Sequence, residues 1–208
     1  MSQTQRTHFS KRIYTPRSLF DDFRDILAHF HEFRAAVRSE RIDRAFAEKI
    51  MLAVTAVNGC RYCSHGHARM ALESGVSQDE VDLLLGGDVG HASPDEAPAL
   101  FFAQHYAESA GHPAPDMVEK LIHTYGQERA RDILAYIRMI TLGNLTGNTF
   151  DALLSRLRGR PAQDSSLGSE LATLALLVLG TPVLGLAIVV KTILQSYQPD
   201  AVYPRSSA

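Results

Sequence analysis

The segment EKIMLAVTAVNGCRYCSHGHARMALESGVSQDEVDLLL, from Glu48 to Leu85, predicts three consecutive α-helices. Its first part, Ile50 to Val57, is apolar on nearly every side, which is typical of a central and buried helix. Gly59 and Gly75 follow the first two periodic stretches, and glycine is the residue that most often ends a helix in the left-handed conformation. A capping box that begins at Ser77 opens the third helix. The segment therefore predicts a compact, purely helical unit.

Helical periodicity continues over the rest of the chain, and no strand-like alternation of any length occurs. A helix is expected to begin at Thr15-Pro16, because proline is tolerated in the first turn. Further helices are predicted over four ranges: Ile42–Asn58, Ala97–Ala110, Asp116–Tyr125 and Glu128–Leu157. Gly143 and Gly147, inside the last of them, predict a close helix approach or a kink. The predicted fold class is all-α, a helical bundle followed by an apolar helical segment.

Composition and charge exclude several classes of protein. The chain has 208 residues, of which 45% are hydrophobic, and its formal net charge is −2. A nucleic-acid-binding protein would need a basic surface, so no nucleic-acid partner is expected. The polar and basic N-terminus lacks the apolar core of a secretory signal. The two cysteines of a chain in the reducing cytosol are expected to be catalytic or metal-binding.

Changes in composition predict five regions along the chain. They are a flexible N-terminus (1–14), a helical domain (15–160), a linker (161–170), an apolar tail (171–194) and a polar C-terminus (195–208).

The tail contains twenty residues without a charge, Leu171 to Val190. A helix of that length spans the roughly 30 Å hydrocarbon core of a bilayer, so the tail is a candidate transmembrane helix. Three arginines between residues 156 and 160 precede it, which would keep the domain cytoplasmic. Tyr197 and Tyr203 would then lie at the far interface. Pro182 leaves an alternative, in which the tail divides into two short helices that pack inside an oligomer.

The chemistry is concentrated in Cys60, Cys63 and His67, whose i, i+3, i+7 spacing places them on one face of a helix. The start of that helix favours a thiolate at Cys60, and His67 can take a proton from Cys63. This pattern indicates a dithiol that closes to a disulfide and reopens. Glu48, on the preceding helix, would relay protons if the two helices fold back on each other. Otherwise Glu48 would point to solvent beside Lys49.

The same residues resemble a known signature. Glu48, then eleven residues, then C-x-x-C-x-x-x-H is similar to the core of the alkylhydroperoxidase D-like branch of the carboxymuconolactone decarboxylase family. LGNLTGNTFDALL, Leu142 to Leu154, is similar to the asparagine-containing last helix of such domains, so the resemblance covers about residues 15 to 160. It implies a helical homo-oligomer with an antioxidant thiol peroxidase activity on hydrogen peroxide or alkyl hydroperoxides. It implies an external dithiol reductant and no cofactor.

The resemblance also implies roles for the individual residues. Cys63 would attack the peroxide, Cys60 would resolve the sulfenic acid to a disulfide, and Glu48 and His67 would relay protons. The helix-dipole argument instead favours Cys60 as the thiol with the lower pKa. Tyr62 stands where the best-studied type of this family has a histidine. His65 is the auxiliary candidate for that role, although it lies roughly 140° around the helix from Cys60.

Other functions use the same residues. A dithiol–disulfide oxidoreductase and a membrane-tethered redox sensor would need only the reversible disulfide. A zinc module would take Cys60, Cys63, His67 and Glu48 as ligands, but the usual second ligand pair from a separate segment is missing. A thioredoxin-type enzyme would need a βαβ context. The lactone decarboxylases of the wider family work without this cysteine pair, so its presence argues against their activity.

Overall fold

The computed structural model describes residues 9–163 and 165–196, and this part of the chain forms seven α-helices. They are α1 (Pro16–Ser39), α2 (Arg44–Asn58), α3 (Arg61–Glu73), α4 (Gln78–Leu85), α5 (Ala97–Glu108), α6 (Pro115–Leu157) and α7 (Leu167–Ser196). The described residues contain no strand, only an isolated parallel bridge between Phe9 and Ala162. The all-α prediction is confirmed.

Side-chain caps set the helix starts. The Thr15 hydroxyl accepts from the Ser18 backbone N–H and opens α1, as a helix start at Thr15-Pro16 predicts. Asp43 and Ser77 cap α2 and α4 in the same way. Each cap satisfies a backbone N–H that has no partner inside the helix. Gly59 ends α2 with a φ of 69°, a left-handed conformation that glycine adopts without strain, so α3 follows immediately.

Helix α6 contains the two helices predicted over residues 116–125 and 128–157, joined across a kink. The structure has a single run from Pro115 to Leu157, but Gly126 interrupts it with a φ of 74° and a ψ of 164°. The helical direction therefore changes at the glycine that separates the two predicted helices. The C-terminal part of α6 carries the buried residues that face the site.

Helix α2 is the centre of the bundle and packs against α3, α4, α5 and α6. Ile50, Leu52 and Val54 are each 0% exposed, as the all-round apolar pattern of this helix predicts. A fully buried aliphatic side chain of this size stabilises the fold by about 1.5–3 kcal/mol. Because α2 is enclosed, the polar side chains at its two ends are held in fixed positions beside α3 and α6.

The N-terminal segment joins the bundle from Lys11 onward. Tyr14 is 2% exposed, and its backbone N–H donates to Thr149 Oγ1 at 2.9 Å. Lys11 Nζ pairs with Asp151 at 2.9 Å. These contacts hold the last residues of the segment that the sequence predicts to be flexible, and they bring Lys11 close to the start of α3.

Helix α7 is continuous, because Pro182 lies inside it without dividing it. The alternative of two short helices is therefore wrong. Arg156 on α6 donates two hydrogen bonds of 2.9 Å to Glu170, which is 0% exposed although it belongs to the predicted linker. Farther along, Gly180 lies against the ring of Phe23 on α1.

The outer side of α7 is exposed and apolar. Val178, Leu179, Val183 and Leu186 are 66–71% exposed. The stretch Leu167–Leu194 is long and apolar enough to cross a membrane, by length and composition alone. The predicted interfacial residues Tyr197 and Tyr203 lie outside the described residues.

Candidate active site

The two cysteines meet at the start of α3. Cys60 is the N-cap of the helix, and its Sγ accepts the backbone N–H of Cys63 at 3.3 Å. The two side chains are also hydrogen-bonded to each other, and both are free thiols. Cys60 is 0% exposed, whereas Cys63 is partly exposed. The pair is therefore placed to form a disulfide, and only Cys63 is open to a reactant.

The two thiols have different pKa values, so one of them ionises before the other. The hydrogen bond from the Cys63 side chain lowers the pKa of Cys60 to about 6, against the opposing effect of burial. The backbone N–H groups of Cys63 and Tyr62 and the positive charge of Lys11 lower it further. The hydrogen bond to Cys60 and burial raise the pKa of Cys63. The resting thiolate is therefore on Cys60, as its position at the helix N-terminus suggests.

Titration of the reduced protein tests this assignment. Thiolate absorbance at 240 nm is expected to rise with a midpoint near pH 6, and the rise should be missing in Cys60→Ser. Because the pKa of Cys60 is lower in the folded state, its thiolate adds stability that is complete above the unfolded pKa, about 8.5, and is lost as the pH falls towards 6. A midpoint above pH 8 in the wild-type protein would contradict the assignment.

Glu48 and His67 form a buried pair across the α2–α3 turn. His67 Nδ1 is 2.7 Å from Glu48 Oε2, and Glu48 is 5% exposed. Glu48 does not point to solvent beside Lys49, which pairs with Glu80 and Glu96 at 2.7 and 2.9 Å. When the Nδ1–H of His67 donates a hydrogen bond to the Glu48 carboxylate, the Nε2 atom of His67 is left as an acceptor. This is the arrangement of a general base oriented by a carboxylate.

The auxiliary candidates lie on the exposed side of α3. Tyr62 is 43% exposed; its Oη accepts from Arg61 at 2.7 Å, and its ring lies 6.3 Å from that of Phe150. His65 is exposed and makes no hydrogen bond with the part of the chain that the structure describes. The structure does not bring His65 to the cysteine pair. His65 therefore does not supply the imidazole that the resemblance leads one to expect at position 62, where this chain has a tyrosine.

The backbone of α6 covers Cys60 at Gly147. A Cβ atom at this position would lie 2.8 Å from Cys60 Sγ and 4.0 Å from Cys63 Sγ. Gly147 therefore makes the close approach predicted from the two glycines of this helix, whereas a Cβ at Gly143 would meet nothing within 4 Å. The absence of a side chain at residue 147 allows α6 to seal the buried sulfur.

Gly147→Ala is expected to displace Cys60 and to lower the turnover of a redox reaction at the cysteine pair on the order of a hundredfold, because misplacing a reacting group by about 1 Å can cost that much. It should also destabilise the fold by about 1–3 kcal/mol, the usual cost of overpacking. Gly143→Ala is the matched control, since it changes the same helix without contacting the site. Equal turnover in the two variants would contradict the proposed sealing of Cys60, and chemical denaturation separates the stability effect.

Two charged residues of the site are missed by sequence reasoning. Lys11 lies along Gly59, and its charge contributes to the lowered pKa of Cys60. Asp151 holds Lys11 at 2.9 Å and Arg61 at 2.7 Å. Lys11 belongs to no motif, and Asp151 is signalled only by its position in the segment that resembles the last family helix.

The asparagines of that segment tie α6 to the C-terminal part of α2. Asn144 Nδ2 donates to Thr55 Oγ1 at 3.2 Å. Asn148 Nδ2 donates to the carbonyl oxygens of Asn58 and Arg12 at 2.8 and 3.0 Å. These bonds fix the turn from which α3 and its cysteines begin.

Among the described residues, no three His, Cys, Asp or Glu side chains converge to hold a metal ion, so the zinc alternative has no ligand set there.

Comparison with known proteins places part of the chain in a family. The model of the Carboxymuconolactone decarboxylase family matches residues 24–105, which include Glu48, Cys60, Cys63 and His67. Searches of curated proteins and of solved structures gave no match. The matched segment, which contains the cysteine pair and the Glu48–His67 pair, is thus similar to the carboxymuconolactone decarboxylase family.

Proposed function

We propose that this protein is a thiol-dependent peroxidase that reduces hydrogen peroxide or an alkyl hydroperoxide. The observation that carries the proposal is the hydrogen-bonded pair of free thiols, Cys60 and Cys63, at the start of the helix that also carries the Glu48–His67 pair. A low-pKa thiol beside a second thiol is typical of dithiol redox chemistry. The family includes enzymes, and the alkylhydroperoxidase-like branch has this residue pattern.

Cys63 is the attacking thiol, because Cys60 is fully buried behind Gly147 and a peroxide reaches only the partly exposed sulfur. His67 accepts the Cys63 proton at Nε2, and the Glu48 carboxylate stabilises the resulting imidazolium. The Cys63 thiolate then attacks the terminal peroxide oxygen. An S–O bond forms, the O–O bond breaks, and the departing alkoxide takes the proton from His67 and leaves as an alcohol.

Cys60 resolves the sulfenic acid. Its lowered pKa keeps it ionised at neutral pH. The Cys60 thiolate attacks the Cys63 sulfur and expels hydroxide, which is protonated to water, and the disulfide forms. The peroxide has then gained two electrons, and the cysteine pair has lost two.

An external dithiol returns the pair to its reduced form. Its thiolate attacks the accessible Cys63 sulfur, and Cys60 leaves, because a thiol of low pKa is the better leaving group. The second thiol of the reductant then attacks the mixed disulfide and releases Cys63. The net reaction converts a peroxide and a dithiol into an alcohol, water and a disulfide.

The experiment is a turnover assay on the purified full chain, with hydrogen peroxide or cumene hydroperoxide as oxidant. Dihydrolipoamide, thioredoxin and glutaredoxin are compared as reductants. Continuous peroxide consumption over many equivalents is the expected result. A single stoichiometric oxidation would contradict the peroxidase and favour a redox sensor.

A dithiol–disulfide oxidoreductase is the second candidate. It is favoured by the same leaving-group property of Cys60 and by the partly exposed Cys63, which could exchange with the disulfide of another protein. Reduction of insulin disulfides without peroxide consumption would identify this activity instead.

We further propose that residues 171–190 hold the domain at the cytoplasmic side of a membrane. The proposal is supported by the length of α7 and by its exposed apolar side. Arg156, Arg158 and Arg160 precede the helix and place positive charge beside it, which favours attachment to an anionic cytoplasmic leaflet.

A further inference from the structure

A cavity of about 360 Å³ lies between the C-terminal halves of α1 and α7. It is lined on the α1 side by Phe30 and Ala35 and on the α7 side by Ile188. Thr192 and four basic side chains complete the wall, and the basic ones are His31, Arg34, Arg38 and Lys191. None of the described residues that line the cavity is acidic. The cavity therefore combines an apolar surface with a local excess of positive charge.

The two arginines of this basic cavity lie beside each other on the surface of α1. Arg34 and Arg38 are four residues apart on α1, so they lie on one face, and both are exposed. Neither forms an ion pair with another described residue. Glu32 on the same helix pairs instead with Arg138, at 3.3 Å. The two guanidinium groups are thus available to an anion, which each can bind in a bidentate way.

Lys191 is held at the wall of the same cavity. Its Nζ donates to the carbonyl oxygens of Leu27 and Ala28 at 2.8 and 3.2 Å. An ammonium group has three N–H donors, so one more remains for a ligand. Lys191 is the only basic residue of α7, and it lies where this apolar helix meets the basic half of α1.

Contacts at both ends hold α7 along the surface of the domain. Glu170 is bound to Arg156 and Lys191 to the α1 carbonyl groups, and these two residues are separated by about 31 Å of helix. The side of α7 that packs on α1 and α6 is closed to lipid along this length, so lipid can reach only the opposite side of the helix. The uncovered side of α7 is apolar next to the basic cavity, where Leu186 is 66% exposed and Val189 52%.

We propose that α7 lies in the headgroup region of a membrane and that the basic cavity binds the phosphate of an anionic phospholipid. This inference rests on the proposed membrane attachment and is independent of the thiol chemistry. Basic residues beside an exposed apolar helix are the combination that binds anionic membrane surfaces. In a symmetric dimer through this face, the basic cavities of the two copies would approach each other with like charge, which disfavours a second copy as the occupant.

The test is flotation of the full chain with vesicles of phosphatidylcholine alone or with 30% phosphatidylglycerol. Binding to the anionic vesicles is expected, together with a strong decrease in 0.5 M salt. Each basic side chain near an anionic surface contributes about fivefold to binding, so Arg34→Gln/Arg38→Gln should weaken it about twenty-fivefold. Arg69→Gln/Lys120→Gln is the matched control, because both side chains are exposed cations elsewhere on the surface.

The outcomes separate this proposal from the attachment on which it rests. Equal binding to both vesicle types, or unchanged binding of Arg34→Gln/Arg38→Gln, would overturn the phospholipid site and leave a purely apolar attachment. Retention in the membrane after carbonate extraction at pH 11 would indicate a spanning helix and overturn the surface-lying one. If the protein floats with neither vesicle type and Leu186→Glu lowers the mass measured by sedimentation velocity, the phospholipid site and the membrane attachment are both overturned. The exposed side of α7 then binds a second copy of the chain.

Discussion

Cys63→Ser is expected to lower peroxide turnover by more than about a thousandfold, because serine at that position cannot act as the nucleophile. Cys60→Ser should also abolish continuous turnover, but for a different reason. Its Cys63 can be oxidised once and then has no resolving thiol. The measurement is peroxide consumption with a dithiol reductant, together with trapping of sulfenic acid by dimedone and mass spectrometry.

The two variants also decide which sulfur attacks. The partly exposed position of Cys63 predicts a dimedone adduct on Cys63 in the Cys60→Ser protein and none on Cys60 in the Cys63→Ser protein. The lower pKa of Cys60 would predict the reverse if ionisation outweighed access. An adduct on Cys60 alone would transfer the attacking role to it. Full turnover in both variants would remove the cysteine pair from the reaction.

Glu48→Gln is expected to reduce kcat/KM about a hundredfold, at the lower end of the 10²–10⁴ range of general acid–base catalysis. The glutamine side chain has nearly the same volume but no charge, so it can hold His67 without stabilising its imidazolium. His67→Ala should have a similar effect and change the pH dependence of the rate. The double variant should be little worse than either single variant, because the two residues act as a unit.

Glu80→Gln serves as the control for Glu48→Gln. It removes a carboxylate that pairs with Lys49, the neighbour of Glu48 on α2, without touching His67. Its rate should remain close to that of the wild-type protein. If Glu48→Gln and Glu80→Gln had the same rate, the proton relay would be ruled out. Circular dichroism and thermal unfolding of each variant show whether a lost rate reflects a lost fold.

The helices themselves can be predicted from the local sequence pattern. Proline at the start of α1, serine before α4 and Gly59 after α2 each act on backbone groups within a few residues, so their effect does not depend on the rest of the chain. The same holds for the face shared by Cys60 and Cys63, which follows from 3.6 residues per turn. The continuity of α7 through Pro182 is different, since packing against α1 and α6 outweighs the local effect of proline.

The cysteine–histidine spacing, the helical class and the apolar tail could therefore be inferred from residue order alone, because helical geometry and capping are short-range. The long-range contacts of the site depend on the tertiary structure. Lys11 reaches Cys60 from 49 residues away, and Gly147 covers the same sulfur from 87 residues away. No periodicity encodes such contacts, since they depend on how separate helices pack. For the same reason, only the packed structure shows that α7 lies along α1 and encloses a basic cavity there.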